Sequence, residues 1–325
     1  MKISVGVTCY NNGDNIDHLL TDIEEQVFTN REGITEIIVV ASGCTDETVT
    51  TVRQFQAVDP RIRLIVEGER CGKPSAINKI TRAMSGDVLV LLSGDVRLFD
   101  TGFVEGLVKH CTDGTSIVGC RPVPVNGINA KGGYIGHLIW DLHDKTLMAQ
   151  IAYGMYRQAG EAFAIRRNGL EVIPPNVIND DAYLVLKAQM TGRKFAYARE
   201  ITVQNRTPER IQDLLLQRRR IICGHRQLKG IMGESPNVLY SLVLRRPLVA
   251  ANVVVQEIRE QISRGTFRVL WILELVALEL AAHLLARIWD PSNLWPTAES
   301  AKWPREGTGK RSYVQDACHH RHLVQ

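Results

Sequence analysis

The chain has 325 residues, 45% of them hydrophobic and 23% charged, with a net charge of +4. These values suit a globular enzyme of one large domain with an extension, or two modest domains. The mild charge, with Lys and Arg not interleaved with aromatic residues, excludes nucleic acid as the expected partner. The seven cysteines are scattered and form no CxxC pair, which reads as reduced thiols in a cytoplasmic protein. Met1–Thr8 is too short and too alternating for a signal peptide and reads as a strand that starts at once.

From residue 1 to about 125, strands alternate with helical stretches. Strands are expected at Ile3–Thr8, Glu36–Ala41, Ile62–Glu67 and Asp87–Leu92. Helices are expected at Asn15–Val27, Asp46–Val58 (capped by Thr45 or Asp46) and Ser75–Met84. Continuous apolar runs such as Ile37–Ala41 are what burial on both faces of a parallel sheet requires. The order predicts an α/β fold, a mostly parallel sheet with right-handed crossovers, whose ligands sit beyond the carboxyl ends of the strands.

Residues 126–205 are mixed. Gly127, Gly132, Gly133 and Gly136 read as a flexible loop, Gly160–Arg167 as a strand, Asp180–Met190 as a helix and Phe195–Arg199 as a short strand. From 208 onward the chain reads as helical. The most apolar stretch, 269–289, is interrupted by Glu274, Glu279, His283 and Arg287. Such charges are costly at the centre of a spanning helix, so the stretch is expected to be buried or interfacial. Arg245, Arg246, Arg259, Arg264 and Arg268 lie just before it and suit anionic lipid. A helical hairpin packed on the catalytic domain or on a second subunit of a homodimer is the equal alternative. The expected organisation is a catalytic domain at 1–230, a helical extension at 231–290 that is membrane-peripheral or dimerising, and a flexible tail or lid at 291–325. The expected location is cytoplasmic, at the inner face of the membrane in the lipid-contact case.

Four groups carry chemistry. Asp95 follows a buried strand and points a carboxylate into the crevice, where it can hold a hard divalent ion or merely cap the next segment. Asp180 and Asp181 open a helix; acids are favoured there for electrostatic reasons alone, but a positioned carboxylate also serves as a general base, and its neighbour raises its pKa by like-charge repulsion. Gln217 and Arg220 share one helix face and suit a diphosphate, whereas Arg218 and Arg219 point elsewhere and are expected to be solvated. Gly72-Lys73-Pro74-Ser75 opens a helix after a strand and brings a cation to the crevice without the spacing of a P-loop.

In their order these segments resemble glycosyltransferase family 2, inverting enzymes with a GT-A fold. Cys9-Tyr10-Asn11-Asn12 resembles the family's "PxYN" strand end. Residues 37–48 resemble "IIVVDDGSTDGT", and Gly72–Asn78 resembles "GKxxALN". Ser93-Gly94-Asp95 sits where "DAD" belongs, Gly160–Arg167 resembles "GxxxxxRR", Asp180–Leu184 resembles "EDxxL", and Gln217–Ile221 resembles "QxxRW" with isoleucine in place of tryptophan. The resemblance implies that Asp181 is the catalytic base and that Asp95 binds Mg2+ or Mn2+. It implies that Thr8, Tyr10, Asn11, Ser42, Asp46, Lys73, Asp95, Gln217 and Arg220 bind the nucleotide sugar, with a UDP-sugar the expected donor. Gly160, Glu161 and Asp180 fall on the acceptor side, where a glycan, a lipid-linked molecule or a small molecule offers a hydroxyl or amine. A hexosyl or N-acetylhexosaminyl group would transfer by one in-line displacement. Ala41 and Ser42 replace two aspartates of the second loop, Ser93 replaces the first acid of the metal motif, and Ile221 tilts the expectation toward a single, non-processive transfer. The alternatives are a sugar nucleotidyltransferase, disfavoured by the Asp181 and Gln217/Arg220 pair, and a catalytically silent binding subunit.

Overall fold

A computed structural model describes residues 1–29, 33–154, 159–234, 236, 238–288 and 302. The elements in chain order are β1 (Ile3–Cys9), α1 (Ile16–Glu24), β2 (Ile34–Ser42), α2 (Thr48–Val58), β3 (Ile62–Glu67), α3 (Lys73–Ala83), β4 (Val88–Ser93), α4 (Phe103–Lys109), β5 (Thr115–Pro124), α5 (Lys131–Ala152), β6 (Ala162–Arg166), α6 (Asp180–Met190), β7 (Lys194–Asn205), α7 (Ile211–Met232), α8 (Val238–Arg245), α9 (Pro247–Ser263) and α10 (Val269–Leu285).

The seven strands form one sheet in the order β3-β2-β1-β4-β6-β5-β7. The first four strands are parallel, as the apolar runs require, and β6 runs antiparallel between β4 and β5. Every residue of β1 and β4 is buried, because helices cover both faces of the sheet. On one face Ile16, Leu19, Leu20, Val52, Phe103 and Leu107 pack with the strands. On the other, Ile77, Ile80, Leu184, Val185 and Leu228 do so. The mostly parallel sheet flanked by helices, with a helical C-terminal portion, matches the expected architecture.

The main departure is α5. Its glycine-rich start reads as a loop because glycine weakens a helix, yet here the glycines let the helix lie close against neighbouring backbone and the Thr207 side chain. A Cβ at Gly133 would stand 2.1 Å from the Gly127 carbonyl oxygen, and one at Gly136 would stand 2.0 Å from Thr207 Oγ1. Tertiary packing overrides propensity at these positions. Two further elements, α4 and β5, were not anticipated, and β7 runs well past the expected Phe195–Arg199, with a register shift opposite Cys120/Arg121. Helix α2 starts at Thr48, whose N–H donates to Asp46 Oδ1 (3.1 Å).

The C-terminal helices wrap α5 and α7. Leu275 and Leu278 of α10 pack with Tyr134, Ile135, Leu138 and Leu214. Leu242 of α8 packs with Ala250 and Val253 of α9, and Lys145 of α5 pairs with Glu257 and Glu260 of α9. Arg218 is not solvated: its guanidinium meets the Glu279 carboxylate at 2.5 Å and ties α7 to α10. The outer face of α10 stays uncovered among the described residues, with Leu270 74%, Leu280 63% and Leu284 63% exposed. No described helix is long and apolar enough to cross a membrane. The expected tail at 291–325 lies outside the described residues apart from Lys302.

Candidate active site

A cavity of about 370 Å³ opens at the carboxyl ends of β1 and β4 and is closed by residues of α5, α6 and α7. This is where a mostly parallel sheet places its ligands. Thr8, Tyr10, Asn11, Ser42, Lys73, Asp95, Gly160, Glu161, Asp180, Asp181, Gln217 and Arg220 all line it, although they come from seven separate stretches of chain.

The first wall is the turn after β1. Asn11 has φ +52°, a conformation that asparagine tolerates better than most side chains. Its amide is used to hold the next loop: Oδ1 accepts the Thr45 N–H (2.8 Å) and Nδ2 donates to Thr45 Oγ1 (3.2 Å). Beside it the Arg70 guanidinium lies over the Tyr10 ring at 3.7 Å, a cation–π stack. Ser42 Oγ accepts the Cys71 N–H at 3.0 Å, which steadies the chain before Gly72 and Lys73. Asp46 is the exception among the anticipated residues. It does not line the cavity, and its carboxylate instead accepts from Gly13 N (2.9 Å), Thr48 N (3.1 Å) and Thr48 Oγ1 (2.6 Å), joining the first two loops.

The floor is the turn after β4. The buried Asn15 donates to the Gly94 and Val96 carbonyls, both at 2.9 Å, and so fixes the turn around Asp95, which is exposed to the cavity. Lys73 Nζ donates to Ser93 Oγ (2.9 Å) and stands 3.6 Å from Asp180 Oδ2. Burial works against the Lys73 charge, but Asp180, Asp181, Asp95 and Glu161 outweigh it and hold the ammonium above its ordinary range.

The third wall carries the acids. Asp181 Oδ2 accepts the Gly160 N–H at 3.0 Å, and Glu161 Oε2 accepts from Asn205 Nδ2 at 2.9 Å. Gly160 has φ +88°, a region that favours glycine. Burial first, then the Asp180 charge, push the Asp181 carboxyl up to about 6, while the Gly160 hydrogen bond and Lys73 pull the other way. Burial and the Asp95 charge push Glu161 up to about 7. Carboxyls with raised pKa, held in a cavity beside a cation, are what proton-transfer sites are built from.

Helix α7 supplies the fourth wall, with Gln217 and Arg220. It is pinned to the start of α6: Asn179 Nδ2 donates to the Ile221 carbonyl (3.1 Å), and Gln227 bonds Ile178 N (3.0 Å) and the Asn176 carbonyl (2.6 Å). The acids and the Gln/Arg pair are therefore held in fixed relation. The cavity also takes in Arg70, Trp140, His143, Arg206 and Asp213, which the sequence reading did not single out. Arg70 lies just before Gly72-Lys73 and was within reach of that reading. Trp140 and His143 become visible only once α5 is known to be a helix, because they then lie three residues apart on one face.

The donor chemistry around Asp95 suits a hard cation. Among the described residues no three Asp, Glu, His or Cys side chains cluster to cage a metal. One carboxylate exposed to the cavity, completed by phosphate oxygens and water, is nevertheless a normal set for Mg2+ or Mn2+ with a nucleotide. Asp95 would hold it.

Known proteins give the same reading of fold and family. The family model described as "Glycosyl transferase family 2" matches residues 4–173. "Glycosyltransferase AglD" of Haloferax volcanii is 29% identical over 116 residues, 35% of this chain and 18% of that protein. The chain thus matches less than a fifth of that relative's length. Among solved structures, mannosyltransferase PcManGT from Pyrobaculum calidifontis, in complex with GDP-Man and Mn2+, superposes with a TM-score of 0.60 at 19% identity, covering 87% of this chain and 86% of that one. Glucosyl-3-phosphoglycerate synthase from Mycobacterium tuberculosis, in complex with Mn2+, UDP and glucosyl-3-phosphoglycerate, gives a TM-score of 0.51 at 19% identity, covering 73% and 81%. These two likenesses concern the fold. The family match spans more than half of the chain, and the chain belongs to glycosyl transferase family 2.

Proposed function

We propose that the protein is an inverting, non-processive glycosyltransferase that moves a sugar from a nucleotide-sugar donor to an acceptor hydroxyl, with Asp181 as general base. The observation that carries this is that Asp181, Asp95, Lys73, Gln217 and Arg220 line one cavity. The acceptor oxygen attacks the anomeric carbon while its proton passes to the Asp181 carboxylate, and the bond from that carbon to the diphosphate oxygen breaks. Lys73, Gln217 and Arg220 receive the departing diphosphate. Gly160 orients Asp181 through its N–H, and Asp180 and burial keep the Asp181 carboxyl basic enough to take a proton.

Mn2+ or Mg2+ on Asp95 would neutralise the diphosphate charge; the Mn2+ in the two related structures supports this assignment. The Tyr10–Arg70 stack offers a flat, polar-edged place for a base, and we take a UDP-sugar as the donor. A GDP-sugar is the second reading, favoured by the PcManGT complex. Ile221 on the cavity wall, where polymer-making members carry tryptophan, supports a single transfer.

Residues 1–230 form the catalytic unit in this reading, and 231–290 a helical extension. The apolar outer face of α10, with Arg264, Arg268 and Arg287 exposed beside it, supports peripheral contact with an anionic membrane. Pairing with a second copy is the other reading of that face. Nucleotide release from a panel of UDP-, GDP- and dTDP-sugars with Mn2+, with and without sugar acceptors, tests the function: acceptor-dependent release of one nucleoside diphosphate supports it, and an inert panel contradicts it.

A further inference from the structure

We infer that Trp140 and His143 on α5 form an acceptor subsite built for a sugar ring, so that the acceptor is a glycoside. The inference rests on the transferase reading and names the acceptor class for the same cavity.

The order of the sheet divides the cavity. Tyr10, Ser42, Arg70 and Lys73 gather over β1, β2 and β3, the half that suits a nucleotide. Trp140 and His143 rise from α5, which packs on β5 at the opposite side. Asp95 and Asp181 lie between the two. A molecule resting on α5 therefore meets the base from the side away from the nucleotide.

The chemistry of this wall suits a carbohydrate. Trp140 is half-buried, and its indole meets the His143 imidazole edge-on, with centroids 5.4 Å apart and planes at 81°. A pyranose has an apolar face of C–H groups and a rim of hydroxyls. The first packs on an indole, and the second needs hydrogen-bonding groups at its edge. Burial, helped by the Arg218 charge, pushes the His143 imidazole down to about 4, so at neutral pH it offers one donor and one acceptor. Leu216 and Ile221 of α7 add apolar surface to the same cavity.

The platform is also held still. Asp144, the next residue after His143, is buried and accepts from Tyr197 Oη (2.9 Å) and Arg199 Nη2 (2.8 Å), both on β7. A ring held by its scaffold binds without the entropic loss of ordering it.

The test uses the full chain with saturation-transfer NMR, observing methyl glycosides of glucose, mannose, galactose and N-acetylglucosamine in the presence of UDP and Mn2+. At least one glycoside should receive saturation on its ring C–H protons. Trp140→Ala should weaken that binding about tenfold, Trp140→Phe should retain most of it, and UDP affinity by calorimetry should stay within about twofold in both. His143→Gln should weaken binding less than the loss of the indole does. The inference is overturned if no glycoside binds the wild type, if Trp140→Ala binds glycosides as well as the wild type does, or if 3-phosphoglycerate binds in their place. Binding is read without turnover, so glycoside binding in an enzyme that releases no nucleotide would support the subsite and sink the transferase reading instead.

Discussion

The Gly160 N–H donates to Asp181 Oδ2 at 3.0 Å, so the loop before β6 orients a carboxylate that opens α6. The bond favours the ionised carboxylate, whereas burial and the neighbouring Asp180 favour the neutral acid, and the balance leaves Asp181 at about 6. A base works when deprotonated. Activity is therefore expected to rise with pH through about 6 and to flatten above it. Removing the Asp180 charge lowers the Asp181 pKa, so Asp180→Asn should move this acidic limb to lower pH. Profiles of kcat/KM against pH for the two proteins check both statements.

Asp95 is the carboxylate that suits the cation, and Ser93 beside it is neutral. Activity should be lost on chelation and restored by Mn2+ or Mg2+. Asp95→Asn should need a metal concentration raised by about tenfold or more, since it deletes the charged ligand. Titration of activity with Mn2+, and metal-dependent binding of the nucleotide by calorimetry, read the effect separately on turnover and on affinity.

The close approach of α5 to neighbouring backbone makes Gly133 intolerant of a side chain. A Cβ there would stand 2.1 Å from the Gly127 carbonyl, and backbone cannot step aside as a flexible side chain can. Gly133→Ala should cost roughly 1–3 kcal/mol, the usual price of overpacking. Thermal unfolding should show a lowered Tm, while alanine at exposed Gly230 of α7, which has open space, should hold or slightly raise Tm because alanine favours the helix.

These glycines also show where sequence reading reaches and where it stops. The four parallel strands were legible because burial on both faces demands unbroken apolar runs such as Val88–Leu92. Asp95, Asp181, Gln217 and Arg220 could be read as candidates because each sits at an element boundary or on one helix face. Helix α5 was hidden because its glycines serve a tertiary contact that local propensity does not record. Trp140 and His143 were hidden with it. Asp46 looked like a binding residue and joins two loops instead, and Arg218 looked solvated but meets Glu279 across α10. Both outcomes depend on partners distant in the chain.

The apolar outer face of α10 yields a prediction of its own. Vesicles containing phosphatidylglycerol should co-sediment the full chain, neutral phosphatidylcholine vesicles should do so less, and salt should weaken the binding. Leu280→Glu with Leu284→Glu should abolish it without changing nucleotide affinity. A homodimer that survives dilution and ignores vesicles would assign the face to a second copy.

Asp181→Asn tests the central claim most directly, because it keeps the shape of the side chain and removes its capacity to take a proton. Acceptor-dependent release of nucleoside diphosphate from the donor that supports turnover should fall by about 10²- to 10⁴-fold, with donor affinity within a few-fold of the wild type. A variant that transfers sugar at the wild-type rate would contradict the assignment of Asp181 as the base.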